Sequence, residues 1–235
     1  MIALTFDTES LEDDERRKSE ESNIPKVLNL LDKHDVKATF FVSGKVAEKF
    51  PELITSISKK GHEIASHSYN HVRLANLPFQ QQKEEIRKSK EALENLISKK
   101  VIGFRAPYVS FTGETFWILK EEGFVYDSSV HENPPHKLPI VELPCHLPDD
   151  FSIFESPQAV GTERDRIRKW VETRKKTVGS LKPYEINIQL CHPWVIAKKL
   201  GRLNALDSLI RHFVKKKIEI QTCREIIKIF NMGYV

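Results

Sequence analysis

The sequence has no glycine-rich phosphate loop. Neither Gly-x-Gly-x-x-Gly nor Gly-x-x-x-x-Gly-Lys follows any strand-like run, so dinucleotide and P-loop binding lack their backbone cradle. Cysteine is scarce. Cys145, Cys191 and Cys223 are an odd set without Cys-x-x-Cys spacing, which argues against a disulfide framework or a thiolate zinc cluster and leaves buried apolar thiols. No run approaches the roughly 20 apolar residues needed to cross a bilayer, so no membrane span is expected. MIALTF (1–6) has no basic region before it; it reads as a strand and not a signal peptide, and the expected location is the cytoplasm. An excess of one charge is also missing. The 37 basic and 33 acidic residues leave a formal charge of +4, too small and too scattered to imply nucleic acid as a partner. The clusters RKK (174–176) and KKK (215–217) read as solvated helix ends. There is no internal repeat and no low-complexity linker, and the 235 residues are read as one domain, 1–235.

Short apolar runs alternate with longer amphipathic segments. The strand candidates are IALTF (2–6), ATFFV (38–42), EIASH (63–67), VIGFRAP (101–107), FVYDSSV (124–130), IVELP (140–144), YEINIQLCH (184–192) and IEIQT (218–222). Helical periodicity fills most of the intervals, for example PKVLNLLDKH (25–34), KVAEKFPELITSISKKG (45–61) and QQQKEEIRKSKEALENLI (80–97). Such alternation predicts β-α units and a parallel sheet. About eight strands suit an irregular barrel better than an open sheet. Gly61 and Gly123 are placed as C-terminal helix caps, and Pro25 as a first-turn residue. The charged stretch LEDDERRKSEES (11–22) reads as a mobile loop at the rim of a site.

Chemistry-bearing residues recur where strand candidates end. The first run ends in Asp7, Thr8 and Glu9; the third in His67, with His71 four positions on; the fourth in Arg105, Pro107 and Tyr108; the fifth in Asp127; a late one in His192. In a parallel β/α fold these ends share one face. Two neutral imidazoles and a carboxylate make a three-ligand site for a divalent metal with a position left for water. Zinc is the natural choice, with cobalt, nickel or manganese also compatible. A second carboxylate can serve as general base, and a further histidine can protonate a leaving nitrogen. Arg105 can hold the base through a bidentate pair. Asp127 can orient His192 or pair with Arg105. Taken singly each residue has an ordinary reading: Asp7 as a cap, Arg105 as a salt-bridge residue, His192 as a partly buried histidine, Trp194 as an apolar wall. His131, His136 and His146 are assigned to loops. The joint pattern carries the argument.

LTFDTES (4–10), SHSYNH (66–71), FRAPY (104–108), YDSS (126–129) and QLCHPW (189–194) resemble, in order, the motifs of the polysaccharide deacetylase or NodB-homology family of metal-dependent N-deacetylases. IVELPCHLPDDFSIFE (140–155) and HPWVIAKKLGRLNALDSLIRHF (192–213) resemble its peptidoglycan-deacetylase-like and allantoinase-like branch. The resemblance implies a distorted (β/α) barrel of TIM-like type with about seven or eight parallel strands. It implies Asp7 as base, His67 and His71 as metal ligands, Arg105 as support for the base, and Asp127 tuning the acid His192. The Tyr108 amide would stabilise an oxyanion, with Pro107 and Trp194 in the substrate pocket. The family's adjacent aspartates are absent, since Thr8 follows Asp7. Glu9 is taken as the third ligand, with Asp7 the ligand if the two roles are exchanged. The tryptophan that often follows the fourth motif's aspartate is also missing; Val130 is nearby. The implied activity is N-deacetylation of an acetylated sugar. The alternatives are hydrolysis of a cyclic ureide, imide or other non-sugar amide, with or without metal, and non-catalytic sugar binding. The saccharide's identity and the oligomeric state are not legible.

Overall fold

Eight parallel strands form one curled sheet in the order β6-β5-β4-β3-β2-β1-β8-β7. The structure is a computed structural model and describes residues 1–9, 14–130 and 138–230. The strands are β1 (Ile2–Thr8), β2 (Thr39–Val42), β3 (Glu63–Ser66), β4 (Gly103–Phe104), β5 (Tyr126–Asp127), β6 (Val141–Glu142), β7 (Cys145–His146) and β8 (Asn187–Cys191). The helices are α1 (Asp14–Lys33), α2 (Gly44–Lys49), α3 (Pro51–Lys59), α4 (Phe79–Ile97), α5 (Gly113–Glu121), α6 (Asp150–Phe154), α7 (Glu163–Gly179), α8 (Pro193–Ile196), α9 (Leu200–Lys215) and α10 (Cys223–Phe230). No ladder joins β6 to β7 among the described residues, so the barrel is distorted and incompletely closed.

β1 is an interior strand. All seven of its residues are buried, as expected of a parallel strand covered on both faces. It pairs with β2 and β8, Thr5 lying opposite Thr39 and Leu190. The larger core packs Phe6, Phe40 and Phe104 against helix residues such as Leu31, Ile54 and Leu93. A second core fills the barrel: Ala3, Phe41, Ala65, Tyr126 and Ile188 meet Cys223, Ile226 and Ile227 of α10. α10 therefore plugs the end where the strands begin, and the opposite end is left for the site. Gly103 is required by this interior, because a Cβ there would lie 2.0 Å from the Tyr126 ring. Gly61 and Gly123 adopt φ of +84° and +75° directly after helix ends, the left-handed cap that glycine takes without strain.

Several expectations are corrected. The loop assigned to 11–22 is helical from Asp14 onward; Leu11, Glu12 and Asp13 lie outside the described residues. Pro25 therefore sits inside α1 and not in its first turn, leaving the Glu21 carbonyl without its intrahelical donor. The single helix read over 45–61 breaks at Phe50, before Pro51, where proline disfavours a helical predecessor. IEIQT contributes only an isolated bridge, Ile220 to Ile2, and the eighth strand is Cys145–His146, so His146 is not a loop residue. His131 and His136 lie outside the described residues. RKK is not a solvated end: Arg174 is buried, lies 4.6 Å from the Trp170 ring centroid and donates to the Leu190 carbonyl, because position 174 falls one turn past Trp170 on the inner face of α7. The three cysteines are free and buried.

Candidate active site

The carboxyl ends of β1, β3, β4, β7 and β8 surround a cavity of about 450 Å³ lined by Asp7, Glu9, His67, Tyr108, His192 and Trp194, among others. Strand alternation explains the carboxylates. Successive side chains point to opposite sides, so Thr5, Asp7 and Glu9 share one side, while the buried Thr8 hydroxyl has no hydrogen-bond partner among the described residues.

His67 extends β3, its amide donating to the Val42 carbonyl at 2.9 Å. The chain then turns sharply. Ser68 and His71 both adopt φ +57°, which non-glycine residues take only when their surroundings impose it. Glu85 of α4 imposes it here, accepting from the amides of Tyr69 and Asn70 at 3.2 and 2.8 Å and from the Asn70 side chain. The turn swings His71 back beside His67, ring centroids 5.1 Å apart.

Glu9, His67 and His71 form a three-ligand group whose donor atoms all lie within 4.8 Å of one another. The His67 Nδ1 is 2.8 Å from the Arg105 carbonyl. A carbonyl can only accept, so Nδ1 carries the hydrogen and Nε2 presents a lone pair. That Nε2 faces Glu9 Oε2 at 3.7 Å and Asp7 Oδ2 at 3.8 Å. His71 Nε2 lies 2.5 Å from Glu9 Oε2, yet neither ring nitrogen of His71 makes a hydrogen bond among the described residues. Lone pairs converging on one point without hydrogen-bond geometry fit a shared cation. The other Glu9 oxygen accepts from Trp194 Nε1 at 3.2 Å.

Asp7 stands beside this group and is held by Arg105. The buried guanidinium donates through Nη1 to Asp7 Oδ1 at 2.6 Å and to Thr5 Oγ1 at 2.9 Å, and through Nε and Nη2 to the Ser128 carbonyl and hydroxyl at 2.9 and 2.8 Å. The expected bidentate pair is thus a single bond, because Ser128 takes the other edge of the fork.

His192 lies across the cavity, and its partner is not Asp127. Asp150 clamps it, accepting from the ring at Nδ1 at 2.7 Å and from its backbone amide at 2.8 Å. Burial alone would lower the His192 pKa, but Asp150 outweighs burial and raises it to about 10. Asp127 instead accepts from the Ser129 amide at 2.9 Å and its hydroxyl at 2.8 Å, and the Ser129 hydroxyl accepts from the Ala106 amide at 2.8 Å. Asp127 therefore braces the turn that carries Tyr108. It reaches neither His192 nor Arg105 through a hydrogen bond, since the strand end directs it at its own second neighbour. Asp150 is not singled out by sequence although it lies within the quoted HLPDDF; the preceding strand has two residues, too few for a periodicity that would mark a strand end there.

Tyr108 lines the cavity on a turn at φ +56°, its ring 4.6 Å from that of His71. Trp194 is a buried wall, 5.9 Å from the His192 ring. Pro107 is buried at the start of the same turn and does not line the cavity with Ala106 and Tyr108.

The profile of the polysaccharide deacetylase family matches residues 1–126. A peptidoglycan deacetylase of Helicobacter pylori is 34% identical over 113 residues, covering 48% of this chain and 39% of that protein. A peptidoglycan-N-acetylglucosamine deacetylase of Bacillus cereus is 40% identical over 84 residues, covering 36% of this chain and 30% of that one. The chain thus spans well under half the length of these curated relatives. A Mycobacterium smegmatis structure assigned to the polysaccharide deacetylases superposes with a TM-score of 0.78 at 26% identity, covering 100% of this chain and 91% of that one. Profile, relatives and fold agree with the strand-end constellation: the chain belongs to the polysaccharide deacetylase family.

Proposed function

We propose that the protein is a hydrolase of carbon–nitrogen bonds that removes the acetyl group from an N-acetylated amino sugar. The observation that carries this is the convergence of Glu9, His67 and His71 with the Arg105-held Asp7 and the Asp150-held His192 around one cavity. The activities of the relatives supply the sugar.

Glu9, His67 and His71 would hold a divalent cation, and two imidazoles with one carboxylate suit zinc. Such an ion supplies Lewis acidity to the amide carbonyl and to the attacking water. Asp7 takes the proton from that water, and Arg105 fixes its Oδ1. His192, protonated because Asp150 stands behind it, presents Nε2–H to the departing nitrogen and gives up its proton as the carbon–nitrogen bond breaks. Trp194 covers Glu9 and excludes water from that side. No helix among the described residues is long and apolar enough to cross a membrane.

Protein purified without chelator should contain close to one zinc per chain and release acetate from N-acetylated chitooligosaccharides. His71→Ala should lose metal and turnover together. Asp7→Asn should keep metal and lose at least about a hundredfold in kcat, the low end of general-base contributions. Full activity in the His71 variant after chelation would sink the reading.

A further inference from the structure

Among the described residues, the cavity is lined by one charged side chain, Arg73, that neither the deacetylation chemistry nor a hydrogen bond commits. Arg73 lies two residues beyond His71, is exposed, and lines the cavity. Its guanidinium lies over the Tyr108 ring, 4.3 Å from the centroid, and that ring neighbours His71. Among the described residues Arg73 makes no side-chain hydrogen bond and no ion pair. The other charges here are committed. Asp7 is bound by Arg105, Glu9 belongs to the three-ligand group, His192 is bound by Asp150, and Asp149 caps α6 by accepting from the Ser152 amide at 2.8 Å.

Resting on the hydrolase reading, we propose that the substrate carries an anionic group, a carboxylate or phosphate, beside the acetylated sugar, and that Arg73 binds it. A guanidinium stacked on an aromatic ring is held in place with its donors still available, and its planar fork matches both anions. Preorganisation reduces the ordering cost of that contact. The cavity is large enough for a sugar with a substituent. Asp149 lines the cavity as well and repels an anion, so the charged substituent is directed to the Tyr108 wall.

Three N-acetylated probes decide this on the zinc-loaded protein: neutral N,N′-diacetylchitobiose, a disaccharide containing N-acetylmuramic acid (carboxylate), and UDP-N-acetylglucosamine (phosphate). Titration calorimetry reads binding, and acetate release reads turnover. At least one anionic probe should bind about tenfold more tightly than the neutral one, with a preference that weakens as salt rises. Which anionic probe gains tells carboxylate from phosphate. Arg73→Gln should remove that preference, and Arg73→Lys should restore only part of it because an ammonium lacks the fork. Equal binding of all three, no binding of either anionic probe, or a preference that survives Arg73→Gln overturns the proposal. Acetate release from no probe, with the Arg73-dependent preference intact, would instead sink the hydrolase reading alone.

Discussion

At the scale of single residues, the site is decided by which carboxylate stands behind which base. Asp150 clamps the ring and the amide of His192, whereas Asp127 is spent on Ser129 and, through it, on the Ala106 amide. The two acids should therefore fail differently. Asp150→Asn removes the negative charge that outweighs burial and lifts the His192 pKa to about 10. The imidazolium then deprotonates at lower pH, so the alkaline limb of the kcat–pH profile should move acidward while kcat falls. The loss should stay within the roughly 10²–10⁴-fold that a general acid contributes. Asp127→Asn should lower kcat by loosening the Tyr108 turn and leave the alkaline limb in place. A limb that moved with Asp127 and not with Asp150 would reverse the assignment. Asp7, Glu9, His67, His71, Arg105 and His192 could be singled out because each sits at or just past an apolar run, and parallel strands gather such ends. The partner of His192 could not, because it is set by the pairing of β7 with β8, which brings positions 150 and 192 side by side.

At the scale of elements, the long strands were readable and the short ones were not. β1, β2, β3 and β8 announce themselves as buried apolar runs, because a strand covered on both faces leaves no room for polar alternation. β7 is held by β8, Cys145 lying opposite Ile188; two residues cannot show a period of their own. The start of α1 is hidden for the converse reason: its first turns are charged, so no apolar stripe marks them. The edge ladder of β5 and β6 carries a testable charge defect. Asp127 and Glu142 are register partners, and burial followed by the Asp127 charge raises the Glu142 pKa to about 10. The folded chain therefore keeps a proton on Glu142 that the unfolded chain has released above pH 4.5. When the folded state binds the extra proton, stability falls as pH rises, by about 1.4 kcal/mol per pH unit for one proton. Glu142→Gln keeps the neutral, hydrogen-bonding form at every pH. Its denaturant-unfolding free energy should decline less steeply than that of the wild type between pH 5 and pH 9, the curves separating toward the alkaline side. Parallel curves would show that Glu142 is ionised in the fold.

At the scale of the whole molecule, the three-ligand group ties the most extensively paired strand to its second neighbour. Glu9 leaves the end of β1, while His67 and His71 leave the end of β3, with β2 between them. α10 plugs the other end of the same barrel. A cation shared by these side chains would bind the folded barrel and not the open chain, because residues 9 and 71 come together only through the sheet. Binding to the native state alone stabilises it by mass action, about 2.7 kcal/mol when free metal is a hundredfold above its dissociation constant. For a domain of this length each kcal/mol shifts Tm by roughly 2–4 °C. Zinc should therefore raise Tm by about 5–10 °C over chelated protein, as a single cooperative transition. The increment should vanish in Glu9→Gln, which removes the ligand charge, and survive in Asp7→Asn, because Asp7 stands outside the ligand group. Differential scanning calorimetry of the wild type and both variants, each with zinc and with chelator, reads this directly. A zinc increment lost in Asp7→Asn but kept in Glu9→Gln would exchange the two carboxylates, making Asp7 the ligand and leaving the proton to Glu9.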